Sequence, residues 1–323
     1  MKPIEQSVSG YDIIGDVHGC ADALTALFEK LGYSKKEGVY HHPDRQAVFL
    51  GDIVDRGPHI REALHMVRDM VDRGYAHIVL GNHEYNAITY TTPAPDDFET
   101  EFLRPHTTRQ NKVIQQTLDQ FANYPQEWQA FLEWFHDIPV FLEFEKFRTV
   151  HACWDDYLIQ QYKDDYNTNT VSKGFIVESC IRGTFAHRFL DRLTRGTDMP
   201  LPGGATMVSA DGYERRHFRT KFWSGHPLSY GDVVFQPDPL PQYIIEMPIS
   251  DENRLRLVHY GLEEPPVFVG HYWLEGVPRP LTPNVACLDF SAVKRGRLTA
   301  YRFDGESTLE NDKFVWVYND LYE

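Results

Sequence analysis

Short apolar runs that stop on a glycine recur along the first third of the chain. Tyr11-Asp12-Ile13-Ile14 runs into Gly15, Ala47 to Leu50 ends at Gly51, and His77 to Leu80 ends at Gly81. An apolar run of this length closed by glycine predicts a buried strand entering a tight turn. Between the runs the spacing changes to that of a helix. Leu24, Leu27, Phe28 and Leu31 fall at i, i+3, i+4 and i+7, with Asp22 near the start of the predicted helix. Ala63, Leu64, Val67, Met70 and Val71 share one face behind Pro58. The alternation of strand, polar turn and helix predicts an α/β fold. It implies a parallel, doubly wound sheet with functional groups gathered at the carboxyl ends of the strands.

Beyond the third turn, Pro93, Pro95 and Pro105 mark residues 91–107 as a loop. Helices are predicted from about Thr108 to Phe121 and across Gln126 to Phe135, where Trp128, Phe131, Leu132 and Phe135 form a core stripe. A strand pair at Val140 to Phe144 and Phe147 to Val150 delivers His151-Ala152-Cys153-Trp154. From Asp155 to about Pro266 the pattern is less regular, with a predicted helix near Ile176 to Leu193 and a Pro/Gly-rich stretch from Pro200 to Gly212. No clean linker bounds this region, so residues 155–266 read as a cap inserted into a single domain spanning residues 1–323. The apolar pattern resumes at Val267-Phe268-Val269 and stops at Gly270-His271. Strands at Val285 to Phe290, Leu298 to Phe303 and Phe314 to Tyr318 close the chain, the first two joined by a turn at Lys294-Arg295-Gly296.

At 323 residues and 42% hydrophobic, the chain can bury a sizeable core. No run approaches the roughly 18 to 20 apolar residues of a membrane span. Met1 to Gly10 is polar and lacks a signal core, and the expectation is a cytoplasmic protein. The four cysteines are scattered without a C-x-x-C pair, which points away from a zinc ribbon or a disulfide framework. A net charge of −15 repels polyanions and argues against broad nucleic-acid binding. A small phosphate ester can still enter a locally positive site.

Five strand ends supply candidate chemistry: Asp16 and His18; Asp52 with Asp55 and Arg56; Asn82 and His83; His151; and His271. Two carboxylates and a guanidinium just past an apolar strand are costly to place unless a cation and an anion bind there. Mixed imidazole, carboxylate and amide-oxygen sets suit Mn2+, Fe2+ and Zn2+. A single ion would not use all of these groups, whereas two ions about 3.5 to 4 Å apart, sharing one carboxylate, would.

In this order, Gly-Asp-x-His-Gly, Gly-Asp-x-Val-Asp-Arg-Gly, Gly-Asn-His-Glu, His151 and Gly-His271 resemble the motifs of the PPP-type, calcineurin-like metallophosphoesterases. The Gly-Cys ending of the first motif is similar to that of the diadenosine tetraphosphatases and of the phosphatase module of bacterial polynucleotide kinase-phosphatases. The tail Ala286-Cys287-Leu288-Asp289-Phe290, followed by Gly296-Arg297-Leu298-Thr299-Ala300-Tyr301, is also similar to that module. The resemblance implies a sandwich of two central mixed β-sheets flanked by helices. It implies that Asp16, His18 and Asp52 hold one metal and that Asp52, Asn82, His151 and His271 hold a second. Arg56 would clamp the phosphate beside Asn82, and His83 would be the general acid, oriented by Asp55. A metal-bridging hydroxide would attack phosphorus in line.

The implied cofactors are two divalent ions, Mn2+ first, with Fe or Zn as alternatives. The implied substrates are phosphoproteins, small phosphomonoesters or dinucleoside polyphosphates. The rival reading is a catalytically silent member of the fold that binds a nucleotide or a partner, and intact Asp52, Asp55, Arg56 and His83 count against it. The chain departs from the family pattern at Ala152-Cys153-Trp154 and at Tyr272. Lys221-Phe222-Trp223-Ser224-Gly225-His226-Pro227 only loosely matches the family's Leu-Trp-Ser-Asp-Pro segment. Trp223 and His226 are candidate substrate contacts from the cap. Arg182, Arg188, Arg192 and Arg195 read as a solvated helix face before a phosphate site. Cys153 reads as a buried inert thiol before a redox-sensitive one.

Overall fold

The computed structural model describes Ile4 and residues 7–208, 214–235 and 240–319. Strands Gly10–Ile14, Arg45–Phe49 and Ala76–Ile78 lie side by side and parallel, with Ile14 opposite Phe49 and Phe49 opposite Ile78. Parallel neighbours need a crossover of a dozen or so residues. Helices Ala21–Leu31 and Ile60–Asp72 provide the two crossovers and bury the predicted faces: Leu24, Leu27, Phe28 and Leu31 on the first, Ala63, Leu64, Val67 and Met70 on the second.

The sheet is mixed, not parallel throughout. Arg297–Phe303 pairs antiparallel with Gly10–Ile14, and Asp289–Phe290 and Phe314–Tyr318 pair antiparallel with Arg297–Phe303. The connections between these last strands are too short for a crossover helix, so they can only fold back. A second mixed sheet runs in the order Val285–Cys287, Val267–Val269, Arg148–Val150, Phe141–Glu143, of which only the last pair is antiparallel. Side chains alternate across each strand. Tyr11, Ile13, Val48, Tyr301 and Phe303 therefore meet Leu142, Phe268 and Ala286 between the sheets, while Ile14, Ala47 and Phe49 face the helices.

Three expectations are corrected. Val285 to Phe290 is two strands in different sheets, because the chain passes from one layer to the other at Leu288. The helix expected from Ile176 to Leu193 is two, Lys173–Ser179 and Phe185–Arg195, broken at Gly183 (φ 89°) and restarted by Thr184, whose hydroxyl accepts from the His187 amide. Helices Asn82–Thr91 and Asp156–Tyr166 were not foreseen. The first is buried at Asn82 to Tyr85 and again at Ala87 to Thr89, so it carries no amphipathic period to detect.

Within residues 155–266, helices Asp156–Tyr166, Lys173–Ser179 and Phe185–Arg195 pack into the main core. Strands Asp198–Pro200, His217–Thr220 and Val234–Phe235 form a small sheet over a separate core that includes Met199, Phe218, Tyr230 and Ile244. The Pro/Gly-rich stretch begins with the strand Asp198–Pro200 and a short turn at Pro202–Gly204, and its last residues fall outside the described residues. Among the described residues, no helix is long and apolar enough to cross a membrane.

Candidate metal centre

The turn that follows Arg45–Phe49 is held by a side chain from a different strand end. Glu84, fully buried in the first turn of Asn82–Thr91, accepts through Oε2 from the amides of Asp52 (2.8 Å) and Gly81 (3.1 Å). Through Oε1 it accepts from Ile53 (2.7 Å) and Val54 (3.2 Å). The two turns touch so closely that a Cβ on Gly81 would strike the Asp52 amide and carboxylate, and Gly51 (φ 89°) would strike Gly81. His18, Asp52, Asp55, Arg56, His271 and Trp273 all hold φ between 43° and 71°. Non-glycine residues avoid this region unless their surroundings over-determine it, and such residues collect at functional sites.

Asp52 lies at the centre of the cluster. Its Oδ1 accepts the His83 amide at 2.8 Å, and its Oδ2 lies 3.4 Å from His151 Nε2, 3.6 Å from His18 Nε2 and 3.9 Å from His83 Nε2. Two groups of metal-capable atoms result, His18 with Asp52 and His83, and Asp52 with His151 and His271, and Asp52 belongs to both. Asn82 Oδ1 accepts from His271 Nδ1 (2.7 Å) and His151 Nε2 (3.1 Å). Asp16 accepts the His271 amide at 3.1 Å. Thr117, from the helix Thr108–Phe121, donates to Asp55 Oδ1 at 2.5 Å, and Asp55 Oδ2 accepts from His83 Nδ1 at 2.6 Å.

Hydrogen-bond bookkeeping fixes the proton positions. A guanidinium only donates. Arg56 contacts His18 Nε2 and His83 Nε2, each at 2.9 Å, so both nitrogens present lone pairs. The protons then sit on Nδ1, pointing at the Val54 carbonyl in His18 (2.8 Å) and at Asp55 in His83. His151 faces acceptors on both sides, the Leu50 carbonyl (2.6 Å) and Asn82 Oδ1. Burial opposes its charge, but the Asp52 carboxylate pushes its pKa up to about 10. Burial likewise opposes ionisation of Asp52, yet the His151, His83 and His18 rings hold its carboxyl well below the usual range. Burial, with the charge of Arg56, holds His18 well below an ordinary imidazole. Burial, with Asp289 beside it, pushes Asp16 well up.

The residues fit divalent ions. Carboxylates, an amide oxygen and two imidazole lone pairs converge, and the positive charge they require is supplied by the Arg56 guanidinium and the His151 imidazolium. His271 Nε2 is buried with no hydrogen-bond partner. An imidazole nitrogen in that condition keeps its lone pair available to a metal ion.

The structure thus brings together Asp16, His18, Asp52, Asp55, Arg56, Asn82, His83, His151 and His271. Trp223 and His226 stand apart from this cluster. Trp223 is buried against Phe222, Phe235 and Tyr272, and His226 is exposed. Arg192 and Arg195 do not lie on a purely solvated face: Arg192 meets Asp155 at 3.2 Å, and Arg195 donates to Asn86 Oδ1 at 2.7 Å. Burial pushes the Cys153 thiol up, which keeps it from being a thiolate nucleophile.

Sequence reasoning assigned no role to Glu84, Thr117, Asp289 or Trp273. The Trp273 ring lies 4.1 Å from the Arg56 guanidinium and 3.9 Å from Lys294 Nζ, and its amide donates to Asp289 at 2.8 Å. Glu84 was visible as the last residue of its motif. Asp289 was visible in the tail motif, while Thr117 and Trp273 act across more than a dozen residues of sequence and left no local signal.

The calcineurin-like phosphoesterase family profile matches residues 11–199. The asymmetrical bis(5'-nucleosyl)-tetraphosphatase PrpE of Halalkalibacterium halodurans is 54% identical over 74 residues, which is 23% of this chain and 30% of that protein. The corresponding enzyme of Oceanobacillus iheyensis is 31% identical over 182 residues, 54% of this chain and 66% of that protein. The chain therefore spans less than two thirds of the length of each of these relatives. In fold, a serine/threonine protein phosphatase structure from Saccharomyces cerevisiae aligns over 98% of this chain and 82% of its own, at 12% identity and a TM-score of 0.52.

Glu84→Gln turns an NH2 group toward two of the four amides the carboxylate now receives. At about 1–3 kcal/mol per stranded donor, thermal melting should fall clearly and divalent-ion affinity should fall with it. A variant that melts and binds metal like wild type would remove Glu84 from the turn's support.

The raised pKa of His151 sets a sign for metal binding. Its proton is held through neutral pH and must leave for the ring to ligate, so binding releases a proton below about pH 10. Mn2+ affinity should rise by up to about tenfold per pH unit between pH 6 and 8. Titration calorimetry in buffers of different ionisation enthalpy should show the released proton. Affinity independent of pH, with no proton release, would contradict the assignment.

Proposed function

Because the chain belongs to the calcineurin-like phosphoesterase family, we propose that it is a metal-dependent phosphoesterase in which Asp16, His18 and Asp52 hold one divalent ion and Asp52, Asn82, His151 and His271 hold a second. The observation that carries this reading is the membership of Asp52 in both metal-capable groups. The mixed imidazole, carboxylate and amide-oxygen set suits Mn2+, with Fe or Zn able to replace it, better than Mg2+, which prefers all-oxygen octahedral shells. When bound, such ions supply Lewis acidity and lower the pKa of a coordinated water.

The remaining chemistry belongs to the chain. Arg56 is half-buried near the carboxylates of Asp52, Asp289, Asp16 and Asp55 and stacks on Trp273, and its planar fork matches two oxygens of a phosphoryl group. When a phosphate takes those donors, His18 Nε2 and His83 Nε2 are released from Arg56. His83 is then free to carry a proton on Nε2 and deliver it to the departing oxygen. Asp55 keeps Nδ1–H in place and stabilises the imidazolium, and Thr117 fixes Asp55 in turn. Residues 155–266 are taken as a cap within one domain, their helices joined to the main core and their small sheet standing on its own.

The substrate reading extends the same logic. Relatives named bis(5'-nucleosyl)-tetraphosphatases support dinucleoside polyphosphates. Phosphoproteins and small phosphomonoesters are the other members of a substrate panel. A silent binding protein gains no support from the site, because the clamp, the candidate acid and the acid's orienting carboxylate are all in contact.

Chelation should abolish turnover of the panel, and Mn2+ should restore it better than Mg2+. On the restored enzyme, His83→Ala should slow an alkyl phosphate by roughly 100- to 10,000-fold. It should slow p-nitrophenyl phosphate far less, because nitrophenolate needs no proton to leave. Metal content should stay near wild type. Full activity after chelation would contradict the metal reading, and an equal loss on both substrates would place the acid elsewhere.

A further inference from the structure

The Arg56 guanidinium is oriented by the very bonds that a substrate would break. Its Nη1 and Nη2 groups donate to His18 Nε2 and His83 Nε2, each at 2.9 Å. Among the described residues, no carboxylate forms an ion pair with it. A phosphoryl group that takes these donors therefore removes both hydrogen bonds that aim the side chain, and a fork left free to turn pays for its ordering on binding. One contact does not depend on those donors. The Trp273 ring lies 4.1 Å from the guanidinium carbon, which sits over its face. Such a contact uses the flat side of the guanidinium and leaves its in-plane N–H groups free, whereas a carboxylate partner would consume them.

The ring comes from the other sheet. Trp273 is the second residue after His271, in the turn that follows Val267–Val269, whereas Arg56 lies in the turn that follows Arg45–Phe49. His271 and Trp273 hold φ of 71° and 55°, a backbone that persists where neighbours over-determine it. Buried Asp289 does so here. It accepts the Trp273 amide through Oδ2 at 2.8 Å and the Ser291 amide through Oδ1 at 3.0 Å, and its carbonyl accepts the Leu274 amide at 2.8 Å. The Lys294 ammonium lies 3.9 Å from the same ring and gives the indole a second cation to rest against. Core packing does not account for the side chain. Among the described residues, half-buried Trp273 joins none of the hydrophobic clusters, and its ring meets cations instead.

We propose that Trp273 is a positioning residue for the Arg56 clamp: its ring fixes the plane of the guanidinium, so that the fork stays aimed at the phosphoryl oxygens once it lets go of His18 and His83. The proposal rests on Arg56 being the phosphate clamp of the proposed function and adds the residue that orients it. The turn that carries His271 then serves anion binding as well as metal binding, and Asp289 supports both by holding that turn.

Calorimetric binding of orthovanadate to the Mn2+-loaded protein, cleared of excess ion, tests this without requiring turnover. Trp273→Ala should weaken vanadate binding by about 3- to 30-fold, the range of a cation–ring contact, with metal content unchanged. Trp273→Phe, which keeps a ring, should retain most of the affinity, and Trp273→Leu, which keeps apolar bulk without a ring, should not. In an Arg56→Ala background, Trp273→Ala should cost nothing further, because a residue that acts through Arg56 has nothing left to act on. If Trp273→Ala melts early, the Phe and Leu variants carry the same comparison, alone and combined with Arg56→Ala. Losses that add in the double variant, a Leu variant that binds as well as the Phe variant, or wild-type affinity in Trp273→Ala would each overturn the positioning role. Wild-type affinity in Arg56→Ala would overturn the clamp and the positioning role together. If the coupled losses appear but no phosphoester is hydrolysed by wild type, the positioning role stands and the enzymatic reading falls.

Discussion

One buried carboxylate ties the site together. Glu84 receives four backbone amides from two turns that belong to adjacent strands. Those amides would otherwise be buried donors without partners, each costing about 1–3 kcal/mol. By gathering them, Glu84 locks the turn carrying Asp52, Asp55 and Arg56 against the turn carrying Asn82 and His83. The positive φ values of Asp52 and Asp55 are held by these contacts, Glu84 on the Asp52 amide and Thr117 on the Asp55 amide.

The two-sheet architecture then completes the cluster. The first sheet delivers Asp16, His18, Asp52, Asn82 and His83 from the ends of three parallel strands, and the second delivers His151 and His271 from the ends of two more. Their junction is a place where backbone and side chain meet, as when the His151 ring donates to the Leu50 carbonyl and the His271 amide donates to Asp16. Charge balance follows the same geometry. Asp52 is surrounded by His18, His83 and His151, and Arg56 bridges two of these rings, so the site is a set of acceptors ordered around positive charge.

Much of this was legible in the sequence, for a specific reason. The strand–glycine–polar pattern exposes the carboxyl end of each strand, so Asp16, His18, Asp52, Asn82, His83, His151 and His271 could be named from local order alone. Helices with one buried face, such as Ala21–Leu31, were equally visible. What escaped notice has no local period. The helix Asn82–Thr91 is wrapped by neighbours on nearly every side, the sheet change at Leu288 leaves the apolar run unbroken, and Gly183 divides two helices whose apolar residues continue in phase. Thr117 and Trp273 reach the site from elements 60 or more residues away from the Asp52 turn, a relation that only tertiary structure supplies.

The account turns on Asp52 serving two ions at once, and metal analysis of the purified protein tests that directly. Wild type should hold two divalent ions per chain, while Asp52→Asn should fall well below two, since the shared carboxylate is lost from both groups together. A folded Asp52→Asn protein that still bound two ions tightly would contradict the shared centre.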